Sequence, residues 1–297
     1  MLSFLPGFIK GPIGLVLYTI NTLCWFTPIM LLSVLKFIIP ISFWRQGCTY
    51  LLDACAVAWI SVNNFNQRLL TGTQISVEGL DKLVRKEWYL VMANHQSWVD
   101  ILVLQRIFNH RIPFLKFFLK RELIWVPFLG LAWWALEFPF MRRYSRAFLE
   151  KHPQLKGKDI EATRKACEKF RFKPTSIMNF VEGTRFTDGK HAKQQSPYPH
   201  LLKPKAGGIA FVLSAMGTQL HKLVDVTIHY PKLRPTFWDF VSGKVKQINV
   251  HVRVLPITEQ LIGDYQNDKA FQQRFQKWVN EMWEQKNLQL AKMESGQ

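Results

Sequence analysis

Two short segments carry residues whose types and spacing could do chemistry. In Asn94-His95-Gln96-Ser97-Trp98-Val99-Asp100 a histidine precedes an aspartate by five positions, directly after an apolar run. In Phe180-Val181-Glu182-Gly183-Thr184-Arg185 a glycine separates a carboxylate from a threonine and a guanidinium, again after an apolar run. A neutral imidazole suits removal of a proton from a hydroxyl, because its ordinary pKa of about 6.5 leaves it mostly unprotonated near neutral pH. A carboxylate on the other ring nitrogen fixes the tautomer and stabilises the imidazolium. Asp100 is the nearest carboxylate in sequence. On a regular helix a five-residue offset leaves two side chains about 140° apart. Contact therefore requires His95 in a turn before the helix, with Asp100 reaching back from its first turn and Asn94 or Ser97 as cap.

The second segment supplies what the first lacks. Arg185 presents a planar fork of donors suited to a phosphate. Gly183 lets backbone approach a ligand without a Cβ. Glu182 would orient the arginine or accept a hydrogen bond from a substrate hydroxyl. Each segment alone has a plainer reading, a first-turn carboxylate at a helix dipole or a surface ion pair. Together they point to acyl transfer onto the alcohol of a phosphorylated molecule.

Other chemistries find little support. No Gly-x-x-x-x-Gly-Lys loop is present, so a nucleotide phosphate is not the obvious ligand. Cys24, Cys48, Cys55 and Cys167 show no Cys-x-x-Cys spacing, which argues against zinc and redox motifs and suits a reducing compartment. His191, His200, His221, His229 and His251 have no ligand spacing and read as structural or solvated.

These residues need elements to position them. Residues 74–79, 88–93, 175–181, 224–230 and 248–255 read as strands, the last with Ile248, Val250, Val252 and Val254 inward. A helix to about Phe108 follows the first segment, so strand, polar turn and helix form an α/β crossover. Residues 48–70 and 159–170 read as helices, and residues 187–205, rich in Pro, Gly, Gln, Lys and His, as a mobile loop. From Asp264 onward Phe271, Phe275, Trp278 and Met282 mark one face of a helix that packs on the domain. The expected fold is α/β, a central mixed, mostly parallel sheet flanked by helices. Residues 71–297 would form this domain and residues 1–70 an N-terminal helical membrane anchor.

The anchor rests on composition. Residues 11–35 contain no charge, which is long enough to span a bilayer core and too long for a secretory apolar region. A second apolar run, residues 37–44, follows Lys36, and Pro28 and Pro40 should kink or end helices. Either one tilted spanning helix or a two-helix re-entrant hairpin results. Residues 123–140 are also apolar, but a further crossing would put His95 and Arg185 on opposite sides of the bilayer. That block is better read as a membrane-embedded or acyl-contacting surface. The net charge of +18 favours anionic partners, and the basic stretch of residues 142–173 suits anionic headgroups. A basic protein tethering nucleic acid would share the charge but leave both segments unexplained.

The chain resembles the glycerolipid acyltransferase family, of the lysophosphatidic acid acyltransferase type. Residues 94–100 match its first motif and Val181-Glu182-Gly183-Thr184-Arg185-Phe186 its third. Pro139-Phe140-Met141-Arg142-Arg143 resembles the second motif, whose final arginine falls on Arg143. Residues 120–130 and Lys203-Pro204-Lys205-Ala206-Gly207-Gly208 are similar to further family blocks. Val224-Asp225-Val226 stands where many members have Val-Pro-Val, and the second motif lacks the usual Ile-Asp, a variation similar to lysophospholipid acyltransferases.

The resemblance implies an acyl-CoA or acyl-carrier-protein thioester as donor and 1-acylglycerol 3-phosphate as acceptor, with another lysophospholipid such as lysophosphatidylglycerol as the alternative. His95 would be the general base and Asp100 its orienting partner. Arg143 and Arg185, with Glu182, Gly183, Thr184 and Lys205, would form the phosphate and acceptor subsite. Backbone N–H groups near the His95 turn are candidate oxyanion donors. No metal, cofactor or nucleic acid is implied. The partners would be membrane phospholipids and the two substrates, and the location a bacterial inner membrane with the catalytic domain on the cytoplasmic side.

Overall fold

The computed structural model describes residues 2–141, 158–170 and 172–295. Its strands are β1 (Gln74–Glu78), β2 (Tyr89–Ala93), β3 (Leu115–Phe117), β4 (Leu119–Lys120), β5 (Phe140–Met141), β6 (Ser176–Phe180), β7 (Lys222–His229) and β8 (Gln247–Pro256). Six of them form one sheet in the order β1-β8-β7-β2-β6-β3, and β4 pairs with β5. Every pairing is parallel except β7 with β8. The sheet is thus mixed and mostly parallel, as its buried, β-branched runs predict.

Register positions the site. Ala93 on β2 lies opposite Phe180 on β6 and Val226 on β7. Because the strands are parallel, residues 94–100 and 181–186 leave the sheet side by side at its carboxyl end, where open α/β sheets place ligands.

The helices are α1 (Gly7–Ile38), α2 (Ser42–Leu70), α3 (Val99–Phe108), α4 (Leu129–Ala135), α5 (Lys158–Phe170), α6 (Asp188–Gln194), α7 (Gly207–Met216), α8 (Phe237–Val241) and α9 (Lys269–Ser295). Alternation along β2 sends Val91 and Ala93 into one core with Val103 and Leu104 of α3, and Leu90 and Met92 into another with α7 and α9. The expected stripe on α9 joins that second core through buried Phe271, Phe275 and Met282, with Trp278 packed against it. Each such side chain contributes about 1.5–3 kcal/mol of burial.

The N-terminal helices form an antiparallel hairpin. Asn21 donates to the Asn63 side chain at 2.8 Å and to the Trp59 carbonyl at 3.0 Å, and Gln67 donates to the Tyr18 hydroxyl at 2.9 Å. Pro40 lies between the helices, but Pro28 sits inside α1 without ending it. Among the described residues α1 is long and apolar enough to cross a membrane. Phe8, Val16, Leu31 and Phe37 on its length are exposed. So are Trp125, Phe128 and Trp134 in the block after β4, and the Phe26 and Phe128 rings meet edge-on at 5.2 Å.

Residues 123–140 form no long helix: a 3₁₀ turn and the seven-residue α4 precede β5. Glu137 there pairs with Lys36 of α1 at 2.9 Å. Residues 187–205 are not one loop, since α6 occupies their first part, with the Thr187 hydroxyl accepting from the Lys190 N–H. A short polar helix is hidden from apolar periodicity, and its cap is what holds it. Strands β3, β4 and β5 are two or three residues long, too short for alternation to reveal. Most of the basic stretch of residues 142–173 lies outside the described residues, apart from α5 and the approach to β6.

Candidate active site

His95 occupies the turn between β2 and α3, and Asp100 lies in the first turn of α3. The Asp100 carboxylate reaches back as the five-residue offset demands. Its Oδ2 is 2.9 Å from His95 Nδ1 and accepts the Gln96 and Ser97 N–H groups at 2.6 and 2.9 Å. Its Oδ1 accepts the Tyr230 hydroxyl at 2.6 Å. Asp100 is fully buried, and burial beside this carboxylate holds the Tyr230 phenol well above its ordinary pKa, so it stays a donor. Four donors fix one carboxylate, and the carboxylate fixes the ring. With Nδ1–H directed at Asp100, the neutral imidazole carries its lone pair on Nε2.

The ring is also held by its face. His95 stacks on Phe180 with centroids 3.9 Å apart and planes 13° from parallel. Phe180 is the last residue of β6, so the parallel register that aligns the segments also sets this stack.

The turn is stitched on both flanks. Asn94 does not cap α3. Its amide donates to the Ile228 carbonyl and accepts the Ile228 N–H, both at 2.9 Å, extending the β2–β7 pairing through a side chain. The N-cap residue is Trp98, which offers no side-chain cap, while Ser97 just before it accepts the Val99 N–H at 3.0 Å and donates to the Pro235 carbonyl. The Phe186 N–H donates to the His95 carbonyl at 2.7 Å, tying the third motif to the first.

Glu182 differs from expectation. It is fully buried, and its oxygens accept the His95 N–H at 3.3 Å and the Leu202 N–H at 3.4 Å. Burial pushes its carboxyl up to about 8, partly opposed by those two N–H groups and reinforced by the charge of Asp100. Glu182 therefore supports the turn from beneath, its oxygens turned to His95 and Leu202. Arg185 instead lies exposed with its guanidinium 4.6 Å from the centre of the Trp98 ring. A cation held over a ring face in this way keeps its N–H donors for a further partner.

Gly183 has φ of +69°, a conformation that explains glycine at this turn. The Thr184 hydroxyl accepts Lys190 Nζ at 2.9 Å. Lys205 is exposed, and its N–H donates to the Val181 carbonyl at 2.8 Å, bringing that block to the third motif. Arg143 lies outside the described residues. Of the backbone N–H groups near the His95 turn, those of His95, Gln96 and Ser97 go to carboxylates. Among the described residues no group of three His, Cys, Asp or Glu could hold a metal.

His95, Asp100 and the third motif stand out in the sequence, whereas Tyr230, Phe180 and Trp98 take their roles only in the fold. For Tyr230 a signal existed, as a phenol at the carboxyl end of a strand. The stacks of Phe180 and Trp98 depend on register and turn geometry that local pattern does not reveal.

The chain is similar to several known proteins. The human 1-acyl-sn-glycerol-3-phosphate acyltransferase delta (Homo sapiens) is 26% identical over 212 residues, covering 64% of this chain and 53% of that protein. The 1-acyl-sn-glycerol-3-phosphate acyltransferase of Saccharomyces cerevisiae is 31% identical over 140 residues, covering 46% of this chain and 42% of that one. The chain spans about half the length of the curated relatives it matches. Among solved structures, the 1-acyl-sn-glycerophosphate (LPA) acyltransferase PlsC of Thermotoga maritima aligns with a TM-score of 0.44 at 16% identity, over 91% of this chain and 97% of that one. The family model described as Acyltransferase matches residues 74–230, from β1 through Tyr230 and so across the whole His95 site, and the chain belongs to that family.

Proposed function

We propose that this protein is a membrane-bound O-acyltransferase that moves an acyl chain from acyl-CoA or acyl-carrier protein to the sn-2 hydroxyl of 1-acylglycerol 3-phosphate, giving phosphatidic acid. The observation that carries the reading is the fixed His95–Asp100 pair, whose imidazole keeps Nε2 for a hydroxyl. Nε2 takes the proton as the acceptor oxygen attacks the thioester carbonyl. The tetrahedral intermediate collapses with loss of the thiolate, which takes the proton back from the imidazolium. Asp100 stabilises that imidazolium throughout. The chemistry requires neither metal nor cofactor.

Arg185, exposed beside the histidine turn, is the phosphate ligand in this reading, joined by Arg143 and Lys205. Residues 1–70 form the anchor and 71–297 the catalytic domain. The exposed apolar residues of α1 and of the block after β4 rest in lipid, with the basic domain at the cytoplasmic face of a bacterial inner membrane. Asp225, where the fourth motif departs from Val-Pro-Val, is buried and pairs with Arg253 at 2.6 Å. It shares the β7 face that packs toward α9, away from His95, so this departure gives no reason to change the acceptor. A panel of lysophospholipids offered to the detergent-purified protein with long-chain acyl-CoA tests the assignment. Lysophosphatidic acid should give the highest kcat/KM, and failure to consume it would overturn the reading.

A further inference from the structure

The C-terminal helix α9 buries a face of Phe271, Phe275, Val279, Met282, Trp283, Lys286 and Leu290. A lysine in the middle of an apolar face is costly, because its ammonium must leave water. Lys286 is fully buried, and its Nζ donates to the Val226 carbonyl at 2.6 Å and the Thr227 hydroxyl at 3.2 Å, and lies 2.6 Å from Asp225. One turn earlier, Trp283 Nε1 donates to the Leu202 carbonyl at 2.9 Å.

Both contacts lead to the same turn. The Leu202 N–H reaches Glu182, whose other oxygen holds the His95 N–H. The segment that Lys286 grips continues into Ile228 and Tyr230, which hold Asn94 and Asp100. One branch therefore ends on the backbone of His95 and the other on the carboxylate that orients its ring.

We infer that Trp283 and Lys286 are positioning residues for the catalytic turn, so that α9 sets the aim of His95 from the opposite side of the sheet. The inference rests on the proposed role of His95 as the base. It differs from a purely structural role in what it predicts. Loss of either contact loosens residues 94–98 locally and leaves the rest of the sheet intact.

Trp283→Phe removes one N–H while keeping an aromatic ring, and Lys286→Met removes the ammonium while Arg253 still pairs with Asp225. Amide hydrogen exchange followed by mass spectrometry on the full-length protein in detergent compares these variants with the unsubstituted chain. Exchange in the peptide covering residues 94–98 should accelerate about 10-fold in each, with the β8 peptide unchanged. In the acyl-transfer assay kcat should fall about 10- to 100-fold with both KM values held within about twofold, as expected for misplacement of a base by a fraction of an ångström. Unchanged exchange at residues 94–98, equal acceleration across the sheet, or a loss carried by KM would each overturn the inference. The exchange measurement needs no substrate, so it decides the positioning claim even if the proposed acceptor is wrong.

Discussion

Tyr230 donates its hydroxyl hydrogen to Asp100 at 2.6 Å, across 130 residues of sequence, while Asp100 holds His95 Nδ1 at 2.9 Å. The base is thus oriented by a relay that begins at the residue just past β7 and ends in the turn after β2. Tyr230→Phe keeps the ring and removes one charge-assisted hydrogen bond, worth about 1.5–3 kcal/mol. The expected result is a fall in kcat of about 10-fold with little change in KM, measured by steady-state acyl transfer. Asp100→Asn should cost far more, about 10³- to 10⁴-fold, because an amide nitrogen facing Nδ1 favours the wrong tautomer.

Arg185 carries its guanidinium over the Trp98 ring, 4.6 Å from its centre. Arg185→Ala should raise the KM for a phosphorylated acceptor about 10-fold or more while leaving that for acyl-CoA nearly unchanged. Lysine should restore little, because an ammonium neither stacks as a plane nor binds phosphate through two parallel hydrogen bonds. Initial rates against each substrate separate these outcomes.

Glu182 makes stability depend on pH. Its folded pKa, about 8, lies above the ordinary value of 4.5, so between these values the folded chain binds more protons than the unfolded one. Stability from this group is then present at low pH and lost as pH rises toward 8. Glu182→Gln cannot titrate. The wild-type thermal midpoint minus that of the variant should be highest near pH 5 and fall steadily as pH rises toward 8. A wild-type midpoint that rises relative to the variant as pH increases would contradict the assignment.

Asn94 satisfies two buried backbone groups of Ile228 with one amide. Asn94→Ala leaves both without a partner at a site closed to water, costing about 2–4 kcal/mol. Chemical denaturation should show that loss as a lowered midpoint with an unchanged slope.

Much of this was legible in the sequence, for identifiable reasons. The run before Asn94 is buried throughout and that before Val181 over its first three residues, so composition marks them as strands. The His95–Asp100 contact follows from helix geometry once a turn is placed between them. What stayed hidden depends on pairings distant in sequence. Phe180 faces His95 only because β2 and β6 are parallel in a particular register. Glu182 reads as an arginine partner from its neighbours, yet its burial turns it toward His95 and Leu202. The helix from Asp188 to Gln194 carries no apolar stripe, so its polar composition reads as a loop.

The central claim is that His95 is the base for acyl transfer. Its most direct test is transfer from labelled long-chain acyl-CoA to lysophosphatidic acid by detergent-purified protein, beside His95→Ala. The account predicts labelled phosphatidic acid from the wild type and a loss of about 10³-fold or more in the folded variant. Equal turnover by the two proteins would contradict it.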